Sequence, residues 1–147
     1  MDVIVDIDGT VADCRHRLHW ISSKPKNWKA FYAAVSQDVP IIPVITVIRR
    51  LAHSSGDRII YCSGRPESTG LDTVRWIKKH VGVEGPLYMR ADGDFRSDDV
   101  VKEELLAKIR QDGRDPFMVF DDRKRVKQMW VRNGLFVFDV NQHDVEF

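Results

Sequence analysis

The stretch Val3-Ile4-Val5-Asp6-Ile7-Asp8-Gly9-Thr10 (VIVDIDGT) sets β-forming residues directly against two carboxylates two positions apart, followed at once by Gly-Thr. Val3-Ile4-Val5 reads as a short buried strand, because it is apolar without alternation. Two acids at that spacing repel each other, so folding alone does not account for them.

Outward from this stretch, strands and helices alternate. Pro43 and Gly56 bracket a helix whose apolar face is read as Val44, Val47, Ile48, Leu51 and Ala52. Arg58 to Cys62 reads as a second strand, and Leu71, Val74, Trp76, Ile77 and Val81 as a helix ending at Gly82. Leu87-Tyr88-Met89 is a third strand. Ser97 or Asp98 starts a helix carrying Val101, Leu105, Leu106 and Ile109, with Glu103 and Glu104 near its N-terminus. Phe117 to Phe120 is a fourth strand, Arg123 to Asn133 a helix stopped by Gly134, and Phe136-Val137-Phe138 a fifth strand. The alternation predicts an α/β fold, a mainly parallel five-stranded sheet with helices on both faces. Trp76 and Trp130 are expected to pack in the core.

Residues 14–40 interrupt the alternation and read as a small helical cap inserted after the first strand. Residues 14–37 contain Trp20, Trp28, Phe31 and Tyr32 among Arg15, Arg17, Lys24, Lys26 and Lys29, and hold no acid. Such a mixture suits a polynucleotide, cations meeting phosphates and rings meeting bases. It equally suits aromatic packing of the cap onto the body, and His16 and His19 read as polar cap residues.

Bulk composition bounds the rest. The 147 residues suit one domain, and 43% hydrophobic with 31% charged residues gives a core and solubility. A net charge of +1 exerts no general pull toward nucleic acid or membrane. Cys14 and Cys62 have no CxxC spacing and read as reduced thiols of a cytoplasmic protein. No signal peptide or membrane span is expected.

The unusual polar groups follow the strands: Asp6 and Asp8 the first, Ser63-Gly64-Arg65 the second, Asp121-Asp122 the fourth, with Lys102 early on the helix before the fourth. In open parallel sheets, ligands bind beyond the carboxyl ends of the strands. Carboxylates crowded there need a cation between them, and an all-oxygen donor set suits Mg2+. One carboxylate could then attack a phosphoryl group, while the other protonates the leaving oxygen and later activates water. Gly9 allows a tight turn beside the substrate. Thr10, Ser63 and Gly64 offer hydroxyl and N–H groups to phosphate oxygens, and Lys102 offers a point charge. Each piece has a plainer reading: DxD as a solvated turn, Ser-Gly-Arg as loop chemistry, Asp-Asp as a helix cap, Asp98–Lys102 as an exposed helix pair. Their order and shared placement favour the catalytic one.

DxDGT, a strand ending in Ser, then Lys, then Asp-Asp resembles the haloacid dehalogenase-like (HAD) phosphohydrolases, which implies a Rossmann-like fold. The stretches VDIDGTVA, YCSGR, RSDDVVKEE and FDDRKRVKQMW are similar to one branch, the 3′-phosphatase domain of phage polynucleotide kinase-phosphatase. The resemblance implies Asp6 as nucleophile and metal ligand, and Asp8 as general acid–base whose carbonyl ligates the metal. It implies Ser63 and Lys102 on the phosphate, Arg17 and Arg65 in the active site, and Asp98 positioning its neighbours. Asp121 and Asp122 complete the Mg2+ site, with Asp121 the favoured direct ligand. Arg17 and Arg65 are expected near solvent. No GxxxxGK[ST] occurs, so a P-loop reading fails and the chain reads as a free-standing phosphatase, phage-encoded or cytoplasmic. The expected substrate is a 3′-phosphorylated polynucleotide end. Alternatives are a mononucleotide, or a non-catalytic module that binds phosphorylated ends. A homo-oligomer fits the resemblance.

Overall fold

The computed structural model describes residues 1–144. In chain order its elements are β1 (Asp2–Val5), β2 (Ala12–Asp13), α1 (Trp28–Ala33), β3 (Val39–Pro40), α2 (Ile42–Ser54), β4 (Arg58–Pro66), α3 (Gly70–His80), β5 (Leu87–Arg90), α4 (Asp98–Gln111), β6 (Pro116–Asp121), α5 (Lys124–Arg132) and β7 (Phe136–Asp139). Five strands form one parallel sheet in the order β5-β4-β1-β6-β7. The α/β expectation holds, with β1 at the centre.

Why the opening strand lacks alternation is now visible. Val3 and Val5 point into a core built with Ile45, Ile48, Trp76 and Ile77 from α2 and α3. Ile4 points the other way, into a core with Leu106, Ile109, Val126 and Trp130 from α4 and α5. Period two persists, but both faces are covered, so every position is apolar. Later strands add to one side of β1 (β4, β5) and then to the other (β6, β7), which makes its carboxyl end the topological switch point.

Several sequence expectations need correction. Strand β4 runs on to Pro66, so Ser63, Gly64 and Arg65 lie within it rather than after it. Val47, Leu71 and Val74 are exposed. Helix α2 buries Ile45 and Ile48, and α3 buries Thr73, Trp76 and Ile77. The apolar residues assigned to each helix spread wider than the stripe that meets the sheet. Ser97 occupies the N-cap of α4 without a side-chain capping bond. The plainer alternative for Asp98 and Lys102, an exposed helix pair, is not what forms, since Lys102 bonds Asp6 and Asp121 and Asp98 bonds Arg90 and Arg123.

Residues 14–40 hold two short 3-10 turns (Arg15–Trp20 and Val35–Gln37), α1 and β3. Strand β3 pairs antiparallel with β2 and ties the segment's far end to its start. Asn27 caps α1, its side chain accepting the Ala30 N–H at 3.0 Å. Phe31 is buried, while Trp28 and Trp20 keep more than a third of their surface in solvent. No described helix is long and apolar enough to cross a membrane. Cys14 and Cys62 are free and buried.

Candidate active site

Strands β1 and β6 are neighbours in register, so Asp6, just past β1, meets Asp121 at the end of β6 and Asp122 beside it. Carboxylate oxygens of these three buried residues lie within 4.8 Å of one another. Lys102 of α4 reaches in, its Nζ donating to Asp6 Oδ1 and Asp121 Oδ2, both at 2.8 Å. Trp130 Nε1 donates to Asp121 Oδ2 at 3.0 Å, and the Arg123 N–H to Asp121 Oδ1 at 3.2 Å. The Thr10 hydroxyl donates to Asp6 Oδ2 at 3.0 Å.

Three carboxylates face one ammonium in this centre. Burial, only partly offset by Lys102, pushes the Asp6 carboxyl up to about 7, with Asp121 and Asp8 adding repulsion. Burial and the charges on Asp6 and Asp121 push Asp122 up to about 9. The Lys102 ammonium is driven well above its usual range by Asp121 and Asp6, against its own desolvation. A cluster that holds protons so far above the carboxylate range lacks positive charge. Three hard oxygen donors on rigid strand ends fit a divalent cation of the Mg2+ type. The turn that carries Asp8 is tied to the Ile7 carbonyl by the N–H groups of Thr10, Val11 and Ala12. Gly9 stands there at φ +81°, and a Cβ on it would collide with the Asp122 carboxylate.

Two residues along, Asp8 belongs to a different arrangement. Its Oδ1 accepts Arg17 Nη2 at 2.6 Å, and Arg65 Nε at 3.0 Å and Nη2 at 2.6 Å. Both arginines also bond Asp38, Arg17 through Nε (2.8 Å) and Nη2 (2.7 Å), Arg65 through Nη2 (2.8 Å). Burial raises the Asp8 carboxyl, but Arg65 and Arg17 outweigh it and hold it below the usual range. The expectation that Arg17 and Arg65 lie near solvent is wrong. They are 0% and 1% exposed. Two carboxylates balance two guanidiniums, which is the condition under which buried charge is tolerated. Arg17 Nη1 has no acceptor among the described residues, and its guanidinium lies 4.3 Å from the Phe31 ring centroid.

A third group borders the second. Asp98 takes Arg123 Nη1 on Oδ2 at 2.6 Å and Arg90 Nη2 on Oδ1. Its carboxyl is raised by burial, but Lys102, Arg123 and Arg90 bring it below the usual range. Arg90 Nε also donates to the Gly64 carbonyl at 2.8 Å. Gly64 abuts Asp98 so closely that a side chain would strike the carboxylate. Ser63 Oγ, buried, accepts the Arg65 N–H at 3.1 Å.

A cleft of about 980 Å3 opens onto Asp6, Asp8, Ser63, Gly64, Arg65 and Asp98 between α1 and the segment after β5. Thr10, Arg17, Lys102 and Asp121 do not line it. Gly9 and Asp122 face a separate cavity of about 80 Å3. All of the sequence-derived candidates thus gather at one end of the sheet, in front of or just behind the cleft wall. Sequence reasoning missed Asp38, Arg90, Arg123 and Trp130. Asp38 had a signal, being the only acid between Asp13 and Asp57. Trp130 carried none beyond its core spacing.

The model of the polynucleotide kinase PNKP phosphatase domain family matches residues 1–145. The chain belongs to this family. It is therefore a phosphoric monoester hydrolase of HAD type. A protein of Autographa californica nuclear polyhedrosis virus, assigned by inference as a bifunctional polynucleotide kinase/RNA ligase, is 31% identical over 147 residues. That match covers 99% of this chain and 20% of the viral protein. A chain of the Pnkp1/Rnl/Hen1 complex superposes with a TM-score of 0.78 at 30% identity, covering 98% of this chain and 46% of that one. The chain thus spans less than half the length of these relatives. A haloacid dehalogenase-like protein from Streptococcus pneumoniae shares the fold at 14% identity and a TM-score of 0.68, covering 94% of this chain and 83% of that one.

Proposed function

We propose that the protein is a Mg2+-dependent phosphatase that removes the 3′-phosphate from polynucleotide ends through an aspartyl-phosphate on Asp6. The observation that carries this is the opposite environment of two carboxylates two residues apart. Asp6 lies in an anion-rich centre bonded to Lys102, whereas Asp8 lies against two arginines. Both line the same cleft. Family membership and the similarity to a viral polynucleotide kinase/RNA ligase and to a chain of the Pnkp1/Rnl/Hen1 complex support the substrate class.

Asp6, Asp121 and Asp122 would hold the ion, with the Asp8 carbonyl as the resemblance implies. When bound, it neutralises charge on the phosphoryl oxygens during transfer. Asp6 forms the O–P bond as the P–O3′ bond breaks. Lys102 aims Asp6 and favours its ionised form, against the burial that raises its carboxyl. Ser63 and the Gly64 N–H hold the phosphoryl oxygens. Asp8 gives its proton to the leaving 3′ oxygen, then takes one from the water that attacks phosphorus and frees Asp6. The incoming phosphate adds negative charge and competes for Arg65, so Asp8 becomes a weaker acid with substrate bound and can carry that proton.

Phosphate release with Mg2+ from a 3′-phosphorylated oligonucleotide, compared with 3′- and 5′-mononucleotides, tests the assignment. A preference of at least about tenfold for the oligonucleotide is expected. A smaller preference overturns the polynucleotide reading in favour of a nucleotidase. No release from any of them overturns both.

A further inference from the structure

Phe95 is the most exposed large apolar residue among those described, at 89%, yet it stands in the wall of the cleft that opens on Asp6. Exposed phenylalanines are ordinary when they ride on loose loops. This one does not. Arg90 Nη1 donates to the carbonyls on either side of it, Asp94 O at 3.0 Å and Arg96 O at 2.6 Å. The Asp94 carboxylate takes the Arg96 N–H at 3.1 Å, Nε at 3.0 Å and Nη2 at 2.8 Å. Arg96 in turn bonds Glu104 of α4 at 2.6 and 2.7 Å. Both neighbours of Phe95 are therefore tied down while its ring is left in solvent. Arg90 also bonds the Gly64 carbonyl and Asp98, so the ring's position is linked to the wall beside Asp6 and Asp8.

Trp28 of α1 lines the same cleft, with about a third of its surface in solvent and Lys26 Nζ 5.5 Å from its ring centroid. Lys26, Lys29 and Arg125 also line it, exposed and without a carboxylate partner among the described residues. Asp72, Asp92 and Asp94 are the lining acids outside the three site networks; Asp92 accepts the Ser68 N–H at 3.0 Å, and Asp94 is taken up by Arg96. The cleft lies at the upper end of the ~300–1,000 Å3 range of small-ligand sites, with room for more than one nucleotide. Held aromatic rings with unpaired cations beside them are what a single strand requires, since every base offers a π face and every linkage a negative charge.

We propose that Phe95 is a nucleobase platform, with Trp28 as its counterpart on α1. It selects a single-stranded end of two or more nucleotides over a mononucleotide. The proposal rests on the phosphatase reading above and adds the residue that reads the strand.

The test compares Phe95→Ala and Phe95→Tyr with the unsubstituted chain in Mg2+. The substrates are a 3′-phosphorylated oligothymidylate of ten residues, thymidine 3′-monophosphate and p-nitrophenyl phosphate. The readout is the ratio of kcat/KM on the oligonucleotide to that on p-nitrophenyl phosphate. Phe95→Ala is expected to lower this ratio about five- to hundredfold, through KM, and Phe95→Tyr to retain it. An unchanged ratio in Phe95→Ala overturns the platform, as does an equal loss on all three substrates, which would mark a merely structural loop. Hydrolysis of p-nitrophenyl phosphate but of no oligonucleotide by the unsubstituted chain overturns the polynucleotide reading and the platform with it.

Discussion

Asp6 and Asp8 stand two residues apart, yet belong to electrostatically opposite regions. Around Asp6, three carboxylates share one lysine, and the surplus appears as carboxyls raised to about 7 and about 9. Around Asp8, two carboxylates alternate with two arginines, and its carboxyl is lowered. The first region carries surplus negative charge, which on our proposal a bound cation offsets. In the second, the buried carboxylates and guanidiniums balance within the chain. The difference assigns opposite consequences to the same kind of substitution.

The largest expected effect is on chemistry. Asp6→Asn should lose on the order of 10^4-fold or more in turnover while keeping its fold, measured by phosphate release and circular dichroism. Activity near that of the unsubstituted chain would remove Asp6 from the nucleophile's role. Next comes Asp38→Asn, which takes one anion from the balanced region and leaves a buried arginine short of its partner. We expect a loss of ~3–5 kcal/mol in denaturant unfolding, and the same direction for Arg17→Ala and Arg65→Ala. Exposed arginines would have cost activity alone, so a variant of unchanged stability would break the contrast.

Asp122→Asn sharpens it from the other side, because the same change relieves repulsion. The sign follows from the raised carboxyls. Between the unfolded value near 4 and the folded values of about 7 and about 9, the native chain holds protons that the unfolded chain has released. The metal-free protein therefore loses this contribution as pH rises from about 4 to about 9. Asp122→Asn should flatten the upper part of that descent, measured as Tm against pH in chelator. Mg2+ should raise Tm more at pH 8.5 than at pH 6, and ~1 kcal/mol corresponds to about 2–4 °C in a chain of this size. The smallest effect is Gly9→Ala, ~1–2 kcal/mol from the left-handed backbone, plus a metal-dependent loss from the displaced Asp122 carboxylate.

The fold was legible because β1 is apolar on both faces and because helices alternate with strands throughout. The acid centre was legible because each member follows a strand or faces one from a helix start. The balanced region was legible only in part. Arg17 and Arg65 were found by resemblance, but their burial was not, because an arginine reads as exposed unless its partners are known. Those partners come from distant segments: Asp38 lies near the far end of residues 14–40 and Asp8 past β1. Trp130 was read correctly as core, yet its indole N–H on Asp121 depends on ring orientation, which spacing does not encode. Helix faces at Val47, Leu71 and Val74 were overread, since periodicity marks a stripe but not how wide the sheet's cover is.

The most direct test of the central claim, that a cation completes the Asp6 region and lets Asp6 take the phosphoryl group, is a crystal structure grown with Mg2+ and beryllium fluoride. We predict the fluoride adduct on an Asp6 oxygen, with Mg2+ against Asp6 and Asp121. An adduct on another residue, or Mg2+ away from Asp6 and Asp121, would contradict it.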